Sequence, residues 1–401
     1  MNIILFDDQV IRQNLLPLTF TRPVAEIRTG ILTITEKWQH FFKDSVSHLT
    51  EDYLQKKFPS QDGAGNNVYV NGAVCPDVPL VVKIRSLEPG KALFKQNTLI
   101  AFHADSHYFT SLNELYSHEF AKRSEYSGEV NFIKELWHIF QFNGQQIRLD
   151  FDLISSGRKS QPIVDPHTVC YNPDQIFIEE GVEIRAAILN ANTGPIYLGK
   201  NARVEEGAII RGPFSLGEGS VINMGGKMRG DTTIGPFCKV GGEISNSVFL
   251  GFSNKGHDGF LGNSVLGEWC NLGADTNNSN MKNNYAEVKL WNYAKKGYKP
   301  TGLTFCGLIM GDHTKSGINT MFNTGTVIGV SANIFGSEFP RNFIPSFAWG
   351  GAAGFETYQL RKVFESAAIA MERRGKVLDD TEKFILSKVY EKEKEHRTWD
   401  R

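Results

Sequence analysis

Residues 198–240 read LGKNARVEEGAIIRGPFSLGEGSVINMGGKMRGDTTIGPFCKV, and every sixth residue from Leu198 is aliphatic. The series runs Leu198, Val204, Ile210, Leu216, Ile222, Met228, Ile234 and Val240. Eight such residues in unbroken register would arise by chance about once in 10⁵, with aliphatic residues at about a quarter of a chain. The next residue is often small or acidic, as in Gly199, Glu205, Gly217, Gly235 and Gly241. A period of six is a short strand plus a tight turn. Three such faces close a coil of about 18 residues, and coils stack about 4.8 Å apart, so inward side chains form continuous apolar ladders. Glycine suits the turn, where a side chain would crowd or where positive φ is needed. A sandwich imposes no fixed six-residue step, so the stretch predicts a left-handed parallel β-helix.

The same beat returns at Phe260, Leu266 and Leu272, at Phe322, Ile328 and Ile334, and earlier at Ile178 and Ile184. Two stretches break it: Gly251–Gly259 (GFSNKGHDG), and a basic, aromatic run from about Met281 to Cys306. Insertions in a solenoid loop out on one surface and commonly carry binding residues. Beyond Gly351 the apolar spacing turns helical, with Gly375 as a C-cap and Asp379 or Asp380 placed to start a second helix. These helices are expected to cover the open end of the solenoid or to pack on a neighbouring subunit. Over the first 130 residues, NIILFDD, NVYVNG and TLIAFHAD read as buried strands and AEIRTGILTITEKWQHFF partly as a helix. A connecting helix follows over 131–160. The expected class is α/β plus β-solenoid, with the solenoid over 161–350 and C-terminal helices over 351–401.

The 401 residues carry 43 Lys plus Arg and 44 Asp plus Glu, a formal charge of -1. So even a balance gives no electrostatic reason to expect nucleic acid or an anionic membrane as partner. The five cysteines, Cys75, Cys170, Cys238, Cys270 and Cys306, form no CxxC pair, which argues against a zinc ribbon or a disulfide framework. MNIILFDDQV lacks a basic leader and reads as a first strand, and no apolar stretch approaches the roughly 20 residues of a membrane span. A soluble, cytoplasmic protein is expected.

His257 lies in NKGHDGFLG between glycines, away from any apolar face, and histidine is the usual side chain for moving a proton near neutral pH. One coil later, CNLGADTNNSNMKNNYAEVK concentrates amides and ends in Lys289. Amides and a lysine around a cleft suit sugar hydroxyls and a phosphate, but a solvated loop of turn formers has the same composition.

The run KGHDGFLGNSVLGEWCNLGADT is similar, in order and without a gap, to the acetyltransferase domain of bifunctional sugar-1-phosphate nucleotidylyltransferase/acetyltransferases. Those proteins carry a flanked histidine, a Tyr-Leu/Val-Gly-Asp step and an Asn-x-Gly-Ala-Gly-Thr run. The resemblance, over about residues 165–350, implies that His257 is the general base for an amine attacking acetyl-CoA. It implies that Asn280 and Lys289 contact the sugar phosphate, and that MGDHTKSGIN, with His313, Lys315 and Asn319, lies in the coils that hold acetyl-CoA. Two substitutions bear on the substrate: Phe260 replaces the family tyrosine, and Asp275 replaces a glycine. The resemblance also implies an oxyanion held by backbone N–H groups between coils and a homotrimer with pockets between its β-helices.

Upstream, LLPLTFTRPVAEIRTGILTITEKW resembles the opening of sugar nucleotidylyltransferases, which makes residues 1–130 a diverged domain of that type. The glycine-rich phosphate loop is replaced by FDDQVIRQN. Arg22 and Arg28 are the nearest cations for a nucleotide, and Asp105 is a candidate magnesium ligand should this domain be active. The leading expectation is an acetyl-CoA-dependent N-acetyltransferase acting on an amino-sugar 1-phosphate. The alternative is a sugar-1-phosphate nucleotidylyltransferase using UTP or dTTP, with the β-helix as a platform. A zinc hydratase on this solenoid would need a His-x4-His pair, which is missing; a non-catalytic scaffold is the remaining class.

Overall fold

The computed structural model describes residues 1–43, 46–104 and 108–400. Its contacts divide the chain into two units. The first holds Met1–Leu15, Thr21–Ile27 and Leu32–Glu135; the second holds Leu16–Phe20, Arg28–Ile31 and everything from Leu136 onward. The division differs from a linear reading, because two short N-terminal segments belong with the solenoid.

The first unit is built on a six-stranded sheet. Strand Asn2–Phe6 pairs in parallel with Val46–Leu49 and Asn67–Asn71, and Thr98–His103 runs antiparallel to Asn67–Asn71. All five residues of NVYVN are buried, as expected of a strand covered on both faces. Helix Ile34–Phe41 starts at a capping box, in which Thr33 accepts from Glu36 N–H and Glu36 accepts from Thr33 N–H. The three strands and the helix expected here are therefore present.

In the second unit, helices Leu136–Gln141 and Asn143–Ser155 precede the solenoid. Asn143 is fully buried; its Nδ2 donates to Asp231 O at 2.8 Å, and its Oδ1 accepts from Gly30 N and from Thr233 Oγ1. One amide thus joins three separate segments.

The solenoid walls are three stacked sheets. All eight members of the Leu198–Val240 series are buried at 1 % exposure or less, and they share one core with Phe322, Ile328 and Ile334. Ile196 pairs with Phe214 and Phe214 with Thr232, the expected 18-residue coil. Cys238 and Cys270 are small buried members of the same core. The glycines after the ladder residues answer to crowding. A Cβ on Gly217 would fall 2.6 Å from Gly235 C in the next coil, and one on Gly199 would fall 2.8 Å from Glu218 N.

Two expectations need correction. Phe260 is half-buried, and its neighbour Leu261, 1 % exposed and paired with Ile244, takes the ladder position. The beat misses by one because Leu261 and the next ladder residue, Leu266, stand five residues apart instead of six. Gly251–Gly259 is also no insertion: strands Val248–Gly251 and Asn254–Lys255 continue two walls of the coil. The second insertion is real, since Leu266 pairs with Met310, 44 residues on. It holds a hairpin of Lys289–Asn292 and Gly297–Pro300. Two of its aromatics pack inward: Trp291 stacks on Phe343 at 4.1 Å, and Tyr293 meets Phe20 edge-on at 5.4 Å.

After the last coil come helices Leu360–Glu372 and Asp380–Lys392, the second capped by Asp379. Gly375, at φ 66°, ends the first. Tyr390 packs on Phe347 and Glu393 bonds Ser346 Oγ at 3.1 Å, so this end of the solenoid is covered.

Candidate active site

His257 sits on the corner Gly256–Gly259, between strands Asn254–Lys255 and Phe260–Gly262. Asn223 Nδ2 donates to Gly256 O at 2.7 Å, and Asp275 N donates to Asp258 O at 3.1 Å, tying the corner to the coils on either side. The imidazole is exposed at the edge of a cleft of about 550 Å³ that it lines with Glu205, Asn223, Asp258 and Asp275. Asp275 stands at φ 55°, a left-handed position that short polar residues tolerate better than others. A glycine at the equivalent family position fits the same conformation. His257 and Asp275 are thus brought together, and three carboxylates around one histidine favour a cationic or amine-bearing ligand.

Phe260 and Asn280 meet over Gly262, where a Cβ would fall 2.6 Å from the Phe260 ring and 2.7 Å from Asn280 Nδ2. Asn280 Nδ2 donates to Asn263 Oδ1 at 2.8 Å. Lys289 is exposed at the start of the hairpin. Neither Asn280 nor Lys289 lines the His257 cleft.

A second groove, of about 500 Å³, opens at the other end of the same strands. Lys239 and Asn254 line it, while Gly241 and Gly256, each two residues on, line the His257 cleft. Two strand residues span about 7 Å. The groove gathers Lys239, Lys315, Arg373 and Arg374, and no acidic residue lines it among the described residues. Its corner is an aromatic stack: Phe237 on Phe252 at 5.2 Å, Phe252 on Trp269 at 4.3 Å, and Trp269 on His313 at 6.3 Å, all within 17° of parallel. All four residues have φ between 52° and 62°. Bulky residues held there are costly and gather at ligand sites. Burial also pulls the Lys315 ammonium below its ordinary pKa, an effect that a nearby anion would oppose.

Lys315 therefore lines this groove and His313 stacks on its Trp269 without lining it, whereas Asn319 lies at another corner, its N–H donating to Ala274 O at 2.8 Å. The aromatic corner escapes sequence reading because Phe237, Phe252 and Trp269 are 15 and 17 residues apart, off the 18-residue beat. Arg373 and Arg374 come from the end of a helix about a hundred residues downstream, as its C-cap and the next residue. Lys255 also escapes: it is 1 % exposed at an inward ladder position beside Val240, with Nζ donating to His257 O at 2.9 Å and Gly241 O at 3.2 Å.

The residues expected to bind nucleotide are dispersed. Arg22 is buried in the first unit. Arg28 belongs to the second, where its Nε donates to Leu250 O at 3.3 Å and its Nη1 to Ile31 O. Asp105 lies outside the described residues. Among the described residues no three His, Cys, Asp or Glu are grouped to hold a metal ion. After strand Asn2–Phe6, where a glycine-rich loop would cradle phosphates, Asp8 caps helix Gln9–Asn14 and accepts from Val10 N and Ile11 N at 3.0 Å. The backbone donors there already face a carboxylate. No helix among the described residues is long and apolar enough to cross a membrane.

Residues 3–159 match the family model of sugar nucleotidyl transferases. The bifunctional protein GlmU of Rippkaea orientalis is 27% identical over 172 residues, 38% of this chain and 34% of the relative. The bifunctional sugar-1-phosphate nucleotidylyltransferase/acetyltransferase of Sulfurisphaera tokodaii is 29% identical over 161 residues, 39% of this chain and 37% of its own. The uncharacterized acetyltransferase YaiX of Escherichia coli is 26% identical over 159 residues, 39% and 68%. The chain thus spans about a third of the length of the bifunctional relatives. Among solved structures, the Arabidopsis UDP-N-acetylglucosamine acyltransferase covers 52% of this chain and 76% of its own, at 16% identity and a TM-score of 0.25. The chain therefore joins a sugar nucleotidyl transferase segment to a β-solenoid, and it is a relative, at low identity, of the bifunctional sugar-1-phosphate nucleotidylyltransferase/acetyltransferases.

Proposed function

We propose that this protein is an acyltransferase that moves an acetyl group from acetyl-CoA to the amine of an amino-sugar phosphate, with His257 as general base. The observation that carries the reading is the pairing of two grooves of opposite charge about 7 Å apart along one wall of the solenoid. The acidic cleft around His257 suits the amine, and the basic, aromatic groove suits a donor bearing phosphates and a planar base. Stacking on Trp269 and ion pairing with Lys239, Lys315, Arg373 and Arg374 fit the nucleotide end of coenzyme A.

Bound acetyl-CoA supplies a thioester, whose C–S bond breaks as the amine nitrogen bonds to the carbonyl carbon. His257 takes the proton that the amine loses. Asp275 and Glu205 draw the amine into the cleft and orient it. Lys289 and Asn280 would hold the sugar phosphate. Since neither lines the His257 cleft in one chain, the reading includes a homotrimer in which a neighbouring copy completes the site. The relatives named as acetyltransferases support the reaction class.

The test is thiol release from acetyl-CoA over a panel of amino-sugar 1-phosphates, with His257→Ala alongside. The reading expects turnover on one sugar and a loss of at least about a hundredfold in the variant. Equal rates for the two proteins would overturn His257 as the base.

A further inference from the structure

Lys255 is the least expected residue of the solenoid interior. It occupies the ladder between Val240 and Leu272, a line of inward positions that is otherwise mostly aliphatic over these coils. A lysine there carries its amine into an apolar core, an arrangement that persists only when the charge is hydrogen-bonded. Two carbonyls meet it, those of Gly241 at 3.2 Å and His257 at 2.9 Å. One belongs to the preceding coil and the other to the catalytic corner itself. The preceding coil packs directly on this corner: a Cβ on Gly242 would fall 2.7 Å from Gly259 O and 2.9 Å from His257 O.

We propose that Lys255 is a positioning residue for His257, its buried ammonium clamping the corner Gly256–Gly259 to the preceding coil and so setting where the imidazole reaches. The proposal rests on His257 being the base. A neutral amine keeps donors but loses the charge that holds two carbonyls at once. Burial pulls the Lys255 pKa from 10.5 down to about 8, with Asp258 and Asp275 opposing the shift from its own coil and the next. His257, Asp258 and Asp275 are the titratable groups facing the clamp. The ammonium is therefore present below about pH 8 and lost above it. The corner loosens on the alkaline side.

The experiment uses the full chain and Lys255→Met, whose side chain suits the apolar ladder. The wild type is expected to show an alkaline limb near pH 8, and Lys255→Met is expected to abolish it, lower kcat for acetyl transfer about a hundredfold and leave the acceptor KM within about twofold. An unchanged kcat with the limb intact overturns the proposal. Hydrogen exchange over Gly256–Gly262 reads the corner without any turnover. Roughly tenfold faster exchange there, with other coils unchanged, is expected in Lys255→Met; equal exchange overturns the clamp. Faster exchange in a protein that releases no thiol on any acceptor upholds the clamp and overturns the acyl-transfer reading instead.

Discussion

Asp7 and Arg12 form a 2.6 Å ion pair inside the first unit, and both are almost without solvent contact. Asp7 also accepts from Val24 N at 2.7 Å and from Thr50 Oγ1, so both oxygens of its carboxylate are hydrogen-bonded. Removing one member of such a pair leaves the other charge buried and uncompensated. Arg12→Met should destabilise the first unit by about 3–5 kcal/mol, seen as a lower urea midpoint. Asp7→Asn combined with Arg12→Met should recover much of that loss. Single residues also show where sequence stops being legible. His257 could be picked out because glycines flank it, whereas Lys255, two positions earlier, reads as a solvated charge in any one-dimensional pattern. Only the three-dimensional register turns it inward. Phe260 falls off the ladder for the related reason that Leu261 and Leu266 stand five residues apart, so a six-residue step back from Leu266 lands one short.

At the scale of elements, the solenoid was readable because each inward position repeats a burial requirement every six residues over Leu198–Val240. The second groove was not. It is assembled from a strand wall, an aromatic corner off the regular beat, and the turn that follows helix Leu360–Glu372, where Arg374 donates to Asn254 Oδ1 at 3.0 Å. Amphipathic spacing reveals such a helix but does not say which wall its cations face. If this groove holds the phosphates of acetyl-CoA, Arg373→Ala with Arg374→Ala should raise the KM for acetyl-CoA by about tenfold or more. The KM for the sugar and kcat at saturation should change little. A rise confined to the sugar KM would move the donor elsewhere.

At the scale of the molecule, two units carry two chemical histories. Residues 3–159, which take in nearly all of the first unit and the two helices after it, match a family of sugar nucleotidyl transferases, yet Asp8 already occupies the backbone donors after the first strand. The second unit places His257 in an acidic cleft, with a basic groove at the other end of the same strands. The central claim is that acyl transfer in the solenoid is the chemistry of this protein. It is tested most directly by following thiol release from acetyl-CoA and pyrophosphate release from UTP or dTTP in one preparation. The preparation is supplied with amino-sugar 1-phosphates, the matching N-acetylated sugar 1-phosphates and magnesium. Thiol release that disappears with His257→Ala is expected. Pyrophosphate release without thiol release on any acceptor would contradict it and make the solenoid a platform for the first unit.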